Sequence, residues 1–203
     1  MKKSQKNIVY LILAVGIAII GFTTYQLTQN NQTNTRTSGK ALIGGPFTLT
    51  NQDGKTVTEK DFLGKYTLIY FGYTYCPDVC PTELQVITGA LEKLGDDAKK
   101  IQPVFVSIDP DRDTPQLMKD YVSNFYPGMI GLTGTKEQIA AIAKEYRVYY
   151  SKAVEKDADA DSYSMDHSSI TYLMGPNGEF IKHFPYGTSS EKLAKGLKAA
   201  TKG

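Results

Sequence analysis

Histidine and cysteine are nearly absent from this chain. The 203 residues contain only two of each, so any thiol chemistry falls to Cys76 and Cys80 and any imidazole chemistry to His167 or His183. A charge excess is missing too. Lys and Arg number 23 against 21 Asp and Glu, a formal net charge of +2. No basic patch stands out, which withdraws support from a nucleic-acid partner. There is no Gly-rich phosphate-binding loop, no Ser/His/Asp constellation and no internal repeat. What remains suffices for a packed core: 41% hydrophobic against 22% charged residues excludes global disorder. The length fits one ordinary domain with an appendage.

The appendage is at the start. Lys2, Lys3 and Lys6 precede the uncharged run 8–27, which reaches the roughly 17–25 residues that a membrane helix needs. A secretory signal peptide competes for the same features. However, no small-x-small cleavage site follows, and no cysteine is present there for lipid attachment. The expectation is an uncleaved single-pass anchor in the cell membrane. The lysines place its N-terminus in the cytoplasm and the rest of the chain on the extracytoplasmic side. Residues 28–40, rich in Asn, Gln, Thr and Ser, read as a flexible tether. The organisation is thus residues 1–7 in the cytoplasm, a transmembrane anchor at 8–27, the tether at 28–40 and a globular domain at 41–203. In an oxidising compartment a bare cysteine pair tends towards a disulfide unless a reductant or a metal holds it.

Within the domain, Phe47–Thr50 and Lys55–Thr58 flank Asn51-Gln-Asp-Gly54, a hairpin signal. Tyr66–Phe71 and Pro103–Ile108 read as buried strands. Leu84, Ile87, Ala90, Leu91 and Leu94 repeat at helical spacing, from a start near Thr82. Asp113 or Thr114 can cap a helix with Pro115 in its first turn. Met129–Leu132 reads as a short strand, and Ile139, Ile142, Ala143 and Tyr146 mark a third helix. A long polar loop is expected from about Tyr150 to Ser169. Ile170–Met174 and Glu179–Phe184 form a second hairpin around Gly175-Pro-Asn-Gly178, and a closing helix begins near Ser189. Strands alternating with helices predict an α/β domain with a mixed central sheet.

Cys76 and Cys80 sit in Cys76-Pro-Asp-Val-Cys-Pro81, at the turn from the first central strand into a helix. Residues i and i+4 share a helix face, so both sulfurs can serve one site. The positive end of the helix favours the thiolate, the form that binds metal or attacks disulfides. Two thiolates and one imidazole suit a soft or borderline metal, and on these residues alone copper and zinc are comparable. Asp157-x-Asp-x-Asp161 suggests a calcium loop but fails, because Ser162 stands where Gly is needed and Ser168 where Glu is needed. Asp78 can set the charge of a metal site or attract a partner, and equally complements the positive end of the helix. Tyr73 and Tyr75 read as shields, Met165 as an incidental loop residue, and His183 as a side chain on a sheet face.

The element order resembles the thioredoxin fold, with C-x-x-x-C in place of C-x-x-C. Cys76-Pro-Asp-Val-Cys-Pro81, Ser107-Ile-Asp-Pro-Asp-Arg-Asp-Thr-Pro115 and Asp166-His167 before Ile170-Thr-Tyr-Leu-Met-Gly-Pro-Asn-Gly-Glu-Phe180 together resemble the Sco/SenC family of membrane-tethered copper proteins. That resemblance implies a copper ion, Cu(I) or Cu(II), held by Cys76, Cys80 and His167. It implies help in maturing the dinuclear copper centre of cytochrome c oxidase subunit II, with a thioredoxin-like reductant as a further partner. It also shifts the balance from zinc to copper. Asp109, Arg112 and Asp113 belong to the family's signature, although a turn and helix cap would explain them. The competing reading is a thiol-disulfide oxidoreductase or thiol peroxidase that uses Cys76 and Cys80 as a redox disulfide and gives His167 no obligatory role. A copper- or redox-responsive sensor is a third reading.

Overall fold

The computed structural model describes residues 21–22, 42–154 and 163–201. The chain divides into a short unit, Met1–Ala41, and a larger one, Leu42–Gly203. Gly21 and Phe22 are helical; the rest of the expected anchor and tether lies outside the described residues. Among those described, no helix is long and apolar enough to cross a membrane. Asp157, Asp159, Asp161 and Ser162 of the rejected calcium loop also fall outside them.

The larger unit opens with the expected hairpin, β1 (Thr48–Asn51) and β2 (Thr56–Thr58), followed by a 3-10 turn at Glu59–Phe62. Gly54 supplies the positive φ of +74° that this tight connection requires. The apolar run forms β3 (Tyr66–Gly72), buried from Thr67 onward. Next come α1 (Val79–Leu94), a 3-10 turn (Gly95–Lys100), β4 (Ile101–Ser107), α2 (Pro115–Val122), β5 (Ile130–Thr133) and α3 (Lys136–Glu145). After β6 (Tyr150–Val154) and β7 (Tyr163–His167), the hairpin of β8 (Ile170–Met174) and β9 (Phe180–Pro185) leads into α4 (Ser190–Ala200).

Seven strands build one sheet in the order β2-β1-β5-β4-β3-β8-β9. β3 pairs in parallel with β4 and antiparallel with β8, so the sheet is mixed and β3 lies at its buried centre. One face carries Tyr70, Phe105 and Gly131, with Phe105 against Tyr121 of α2 and Gly131 under Met118 and Val122. α1 and α4 pack together on this side, and Phe184 of β9 lies against Gly196 of α4. The opposite face carries Phe71, whose ring meets Tyr146 just after α3 and Tyr172 of β8.

Two expectations need correction. The stretch from Tyr150 to Ser169 is not one long loop, because β6 and β7 pair antiparallel as a separate two-stranded sheet. Tyr163, Met165 and His167 alternate with exposed Ser164 and Asp166 along β7, a period-2 signal too short to rise above the polar run before it. α1 also begins at Val79, three residues ahead of Thr82. Pro81 does not prevent this, since amides in a helix's first turn have no intrahelical partner to lose. Of the two candidate caps on α2, Thr114 is the one used. Its Oγ1 accepts from the Leu117 amide, and Pro115 follows at the first helical position.

Candidate metal centre

β3 ends at Gly72, and the chain turns through Tyr73-Thr-Tyr-Cys76 into α1. Only Cys80 is helical; Cys76 lies in the turn before the helix, so the pair does not share one helix face as its spacing suggests. The turn itself brings the thiols together. The Cys80 amide donates to Cys76 Sγ at 3.3 Å, leaving Cys76 half-buried and Cys80 fully buried, both as free cysteines.

This geometry makes the two sulfurs unequal. The Cys80 thiol, donating to Cys76, pulls the Cys76 pKa down to about 3; His167 and the amides of Cys80 and Asp78 assist, against the opposing effect of burial. Cys80 moves the other way, because an anion at Cys76 and its own burial both hold its proton. The result is an accessible thiolate beside a buried thiol.

His167 comes from a distant part of the chain, at the last position of β7. Its Nδ1 lies 3.2 Å from the Ser168 carbonyl, which can only accept, so Nδ1 carries the proton. When the ring is neutral, this tautomer leaves the lone pair on Nε2, which lies 3.5 Å from Cys80 Sγ. An imidazole fixed through its other nitrogen to a carbonyl is how metal-binding histidines are commonly oriented. The rings of Tyr70 and Tyr73 stand edge-on to the imidazole, each with centroids 6.2 Å away.

The Cys turn is anchored from below by Asp113. Its carboxylate accepts from the Thr74 amide at 3.1 Å, from Thr74 Oγ1 and from Ser107 Oγ. Burial pushes the Asp113 pKa up, and those hydrogen bonds oppose the shift. Asp113 is therefore a strut between the end of β4 and the Cys turn, not a helix cap.

The other sequence candidates separate clearly. Tyr73 is buried against His167, whereas Tyr75 is 56% exposed and covers Arg112 instead. Asp78 is exposed at the N-cap of α1, makes no capping bond through its side chain, and accepts from Thr82 Oγ1 at 3.3 Å. Met165 lines the cleft of about 320 Å³ that also holds Cys76 and His167. His183 is exposed on β9, opposite Tyr172 and stacked on Phe180. Sequence reasoning missed Gly72, Thr74 and Tyr163. Gly72 could have been noticed as the one glycine closing an apolar run just before the cysteines.

The donor set is two sulfurs and one imidazole nitrogen, with the third lone pair already directed at Cys80. Among the described residues no three His, Cys, Asp or Glu side chains are gathered tightly enough to hold a metal ion as they stand. Convergence on one ion therefore takes a local side-chain adjustment, which the half-open position of Cys76 permits. A more apolar cavity of about 360 Å³ lies on the other face, against Ile69, Val106 and Ile142, and holds neither thiol nor imidazole.

Residues 35–202 match the sequence profile of the SCO1/SenC family. The mitochondrial SCO1 homolog 1 of Arabidopsis thaliana is 47% identical over 161 residues, covering 79% of this chain and 47% of that protein. The chain thus spans about half the length of this curated relative. Bradyrhizobium japonicum ScoI, solved with copper bound, is 49% identical and superposes with a TM-score of 0.70 over 78% of this chain and 99% of that one. BsSco, described as having a disulfide switch and as a member of the Sco family of cytochrome c oxidase assembly proteins, is 26% identical. It superposes with a TM-score of 0.61 over 80% of this chain and 95% of that one. The mixed sheet with flanking helices is the thioredoxin-like α/β fold of these proteins.

Proposed function

The chain belongs to the SCO1/SenC family, and from that footing we propose that it binds copper through Cys76, Cys80 and His167 and acts as a metallochaperone in cytochrome c oxidase assembly. The observation that carries this reading is the approach of His167 Nε2 to Cys80 Sγ, 3.5 Å across 87 positions of sequence. Thiolates select Cu(I) and imidazole suits copper in either state, so this donor set fits the metal bound in the Bradyrhizobium relative. The acceptor of the copper is the dinuclear centre of oxidase subunit II. A half-buried thiolate at Cys76, lining an open cleft, supports transfer by ligand exchange, because an incoming thiolate can take a coordination position before the last donor leaves. The lysine-flanked run at 8–27 serves as the anchor, with the domain from residue 41 on the extracytoplasmic side.

The test is complementation in a cell whose respiration depends on a copper-containing oxidase. His167→Ala is expected to lower oxidase activity, with partial rescue by added copper. Full oxidase maturation by His167→Ala would contradict the proposal.

A second reading is supported by the unequal thiols. The Cys76 thiolate can attack a disulfide in a target, forming a mixed disulfide and releasing one target thiolate. Cys80 then gives up its proton and attacks Cys76, releasing the second target thiolate and leaving a Cys76–Cys80 disulfide. The target gains two electrons and this chain loses two, to be restored by a thioredoxin-like reductant. Reducing a target's cysteines before loading them with copper would join both readings in one protein.

A further inference from the structure

Asp109 and Arg112 are unexplained by a turn or a cap. Asp109 is buried, and its Oδ2 accepts from Arg112 Nε at 2.6 Å. Its other oxygen accepts from the Tyr163 hydroxyl at 2.7 Å. Arg112 also donates through an Nη to the Tyr163 carbonyl at 3.0 Å. The guanidinium carbon lies 3.6 Å from the Tyr163 ring centroid, 4.6 Å from that of Tyr75 and 5.9 Å from that of Tyr73. Its remaining Nη2 is buried with no hydrogen-bond partner, so aromatic faces, one carboxylate and the Tyr163 carbonyl hold the group. Tyr163 opens the strand that ends at His167, and Tyr73 and Tyr75 belong to the turn that carries Cys76. The loop bearing Arg112 is fixed in turn, since Asp109 N donates to Ser107 Oγ at 3.0 Å and Ser107 Oγ donates to Asp113.

We propose that Arg112, Asp109 and Tyr163 form a latch that positions the His167 strand over the two thiols and so favours copper(II) in this site. The inference rests on the three-ligand copper reading above. Two thiolates alone satisfy Cu(I), which accepts a low coordination number and soft donors, whereas Cu(II) gains from the added imidazole. A strand paired with β6 along its whole length and pinned at Tyr163 by Arg112 and Asp109 presents that imidazole at a fixed distance. Loosening the latch at Tyr163 costs the nitrogen ligand while Arg112 keeps its packing on Tyr73 and Tyr75 of the Cys76 turn. Arg112, Asp109 and Tyr163 are positioning residues, acting through His167. The planar guanidinium is suited to the task because it bonds a carboxylate edge while stacking on a ring.

The experiment compares full-length reduced wild type with Tyr163→Phe, Arg112→Lys and His167→Ala, titrated separately with Cu(II) and Cu(I) under anaerobic conditions. Tyr163→Phe keeps the ring and loses only the hydroxyl, so it preserves the packing; a thermal melt establishes that each variant is folded. Tyr163→Phe and Arg112→Lys are each expected to weaken Cu(II) by about tenfold, within the range seen when an outer partner of a metal-bound histidine is lost. Both should shift the Cu(II) electron paramagnetic resonance spectrum away from that of wild type, with Cu(I) affinity held near wild type. An unchanged Cu(II) spectrum and affinity in both latch variants, alongside a changed His167→Ala, would overturn the latch alone. An unchanged His167→Ala would overturn the ligand reading beneath it. Equal losses of Cu(II) and Cu(I) in folded latch variants would also contradict the proposal, because that pattern reports damage to the thiols.

Discussion

The sulfur of Cys80 rests on the backbone of Gly72: a Cβ built at Gly72 would lie 2.8 Å from Cys80 Sγ and 2.9 Å from the Phe105 ring. Nothing bulkier than hydrogen leaves room for the sulfur where the site needs it. Gly72→Ala should therefore displace Cys80 from His167 and cost about 1–3 kcal/mol, the usual scale for overpacking a well-filled core. Urea unfolding gives the stability, and copper titration of the folded fraction gives the displacement. Wild-type affinity in Gly72→Ala would show that the sulfur's seat is less constrained than this contact indicates.

The two thiols should also differ in their response to pH. Cys76, lowered to about 3, is already a thiolate throughout the neutral range, while Cys80 is shifted upward and buried. Depression of an acid's pKa moves ionisation to lower pH, so alkylation of Cys76 should stay nearly flat between about pH 5 and 8, where an ordinary thiol gains about tenfold per unit. Peptide mapping after iodoacetamide pulses on the reduced chain reads both sites. A Cys76 rate that climbs like that of a free thiol, or labelling of Cys80 first, would contradict the assigned roles.

Asp113 gives a third expectation. Removing its carboxylate strands three donors at the edge of the core, the Thr74 amide and the hydroxyls of Thr74 and Ser107. Asp113→Ala should destabilise the domain by about 1–3 kcal/mol, the cost of leaving buried polar groups unpaired. Backbone amide exchange around residues 73–76 should rise with it, because Asp113 is what ties that turn to β4. Destabilisation with no change in exchange there would mean that the strut serves the core rather than the site.

Much of this site was legible in the sequence. Cys76 and Cys80 were the only thiols available, and their place at the end of an apolar run located the turn. His167 was singled out through the family resemblance that Asp166-His167 and the run after it carry; as a lone loop histidine it would have been passed over. The hairpin that delivers His167 was not legible, since Tyr163-Ser-Met-Asp-His167 offers a single five-residue alternation behind an acidic stretch. Tyr163, and with it the part that Arg112 plays beyond a turn, escaped for a different reason. Their contact spans 51 residues and depends on a ring face meeting a guanidinium plane, and no local spacing encodes that. Gly72 matters through a close approach that appears only once the helix is placed.

Proposed membrane topology is separable from the metal site. A reporter fused after Gly203 should behave as exported, and the mature chain should retain residues near Met1, as the lysine-flanked run at 8–27 implies. A soluble form beginning near residues 25–35 would replace the anchor with a cleaved signal.

Copper(II) titration of reduced full-length His167→Ala and His183→Ala, paired with reversible oxidation of the Cys76–Cys80 thiols, is the most direct measurement of whether this is a three-ligand copper site. Wild type and His183→Ala should each bind about one tight Cu(II), the stoichiometry of a single thiolate–imidazole centre. His167→Ala should lose stable Cu(II) binding yet still form and release the disulfide, because both sulfurs and the positive end of α1 remain. Undiminished Cu(II) binding by His167→Ala, or its loss in His183→Ala, would contradict the assignment of His167 as the third ligand.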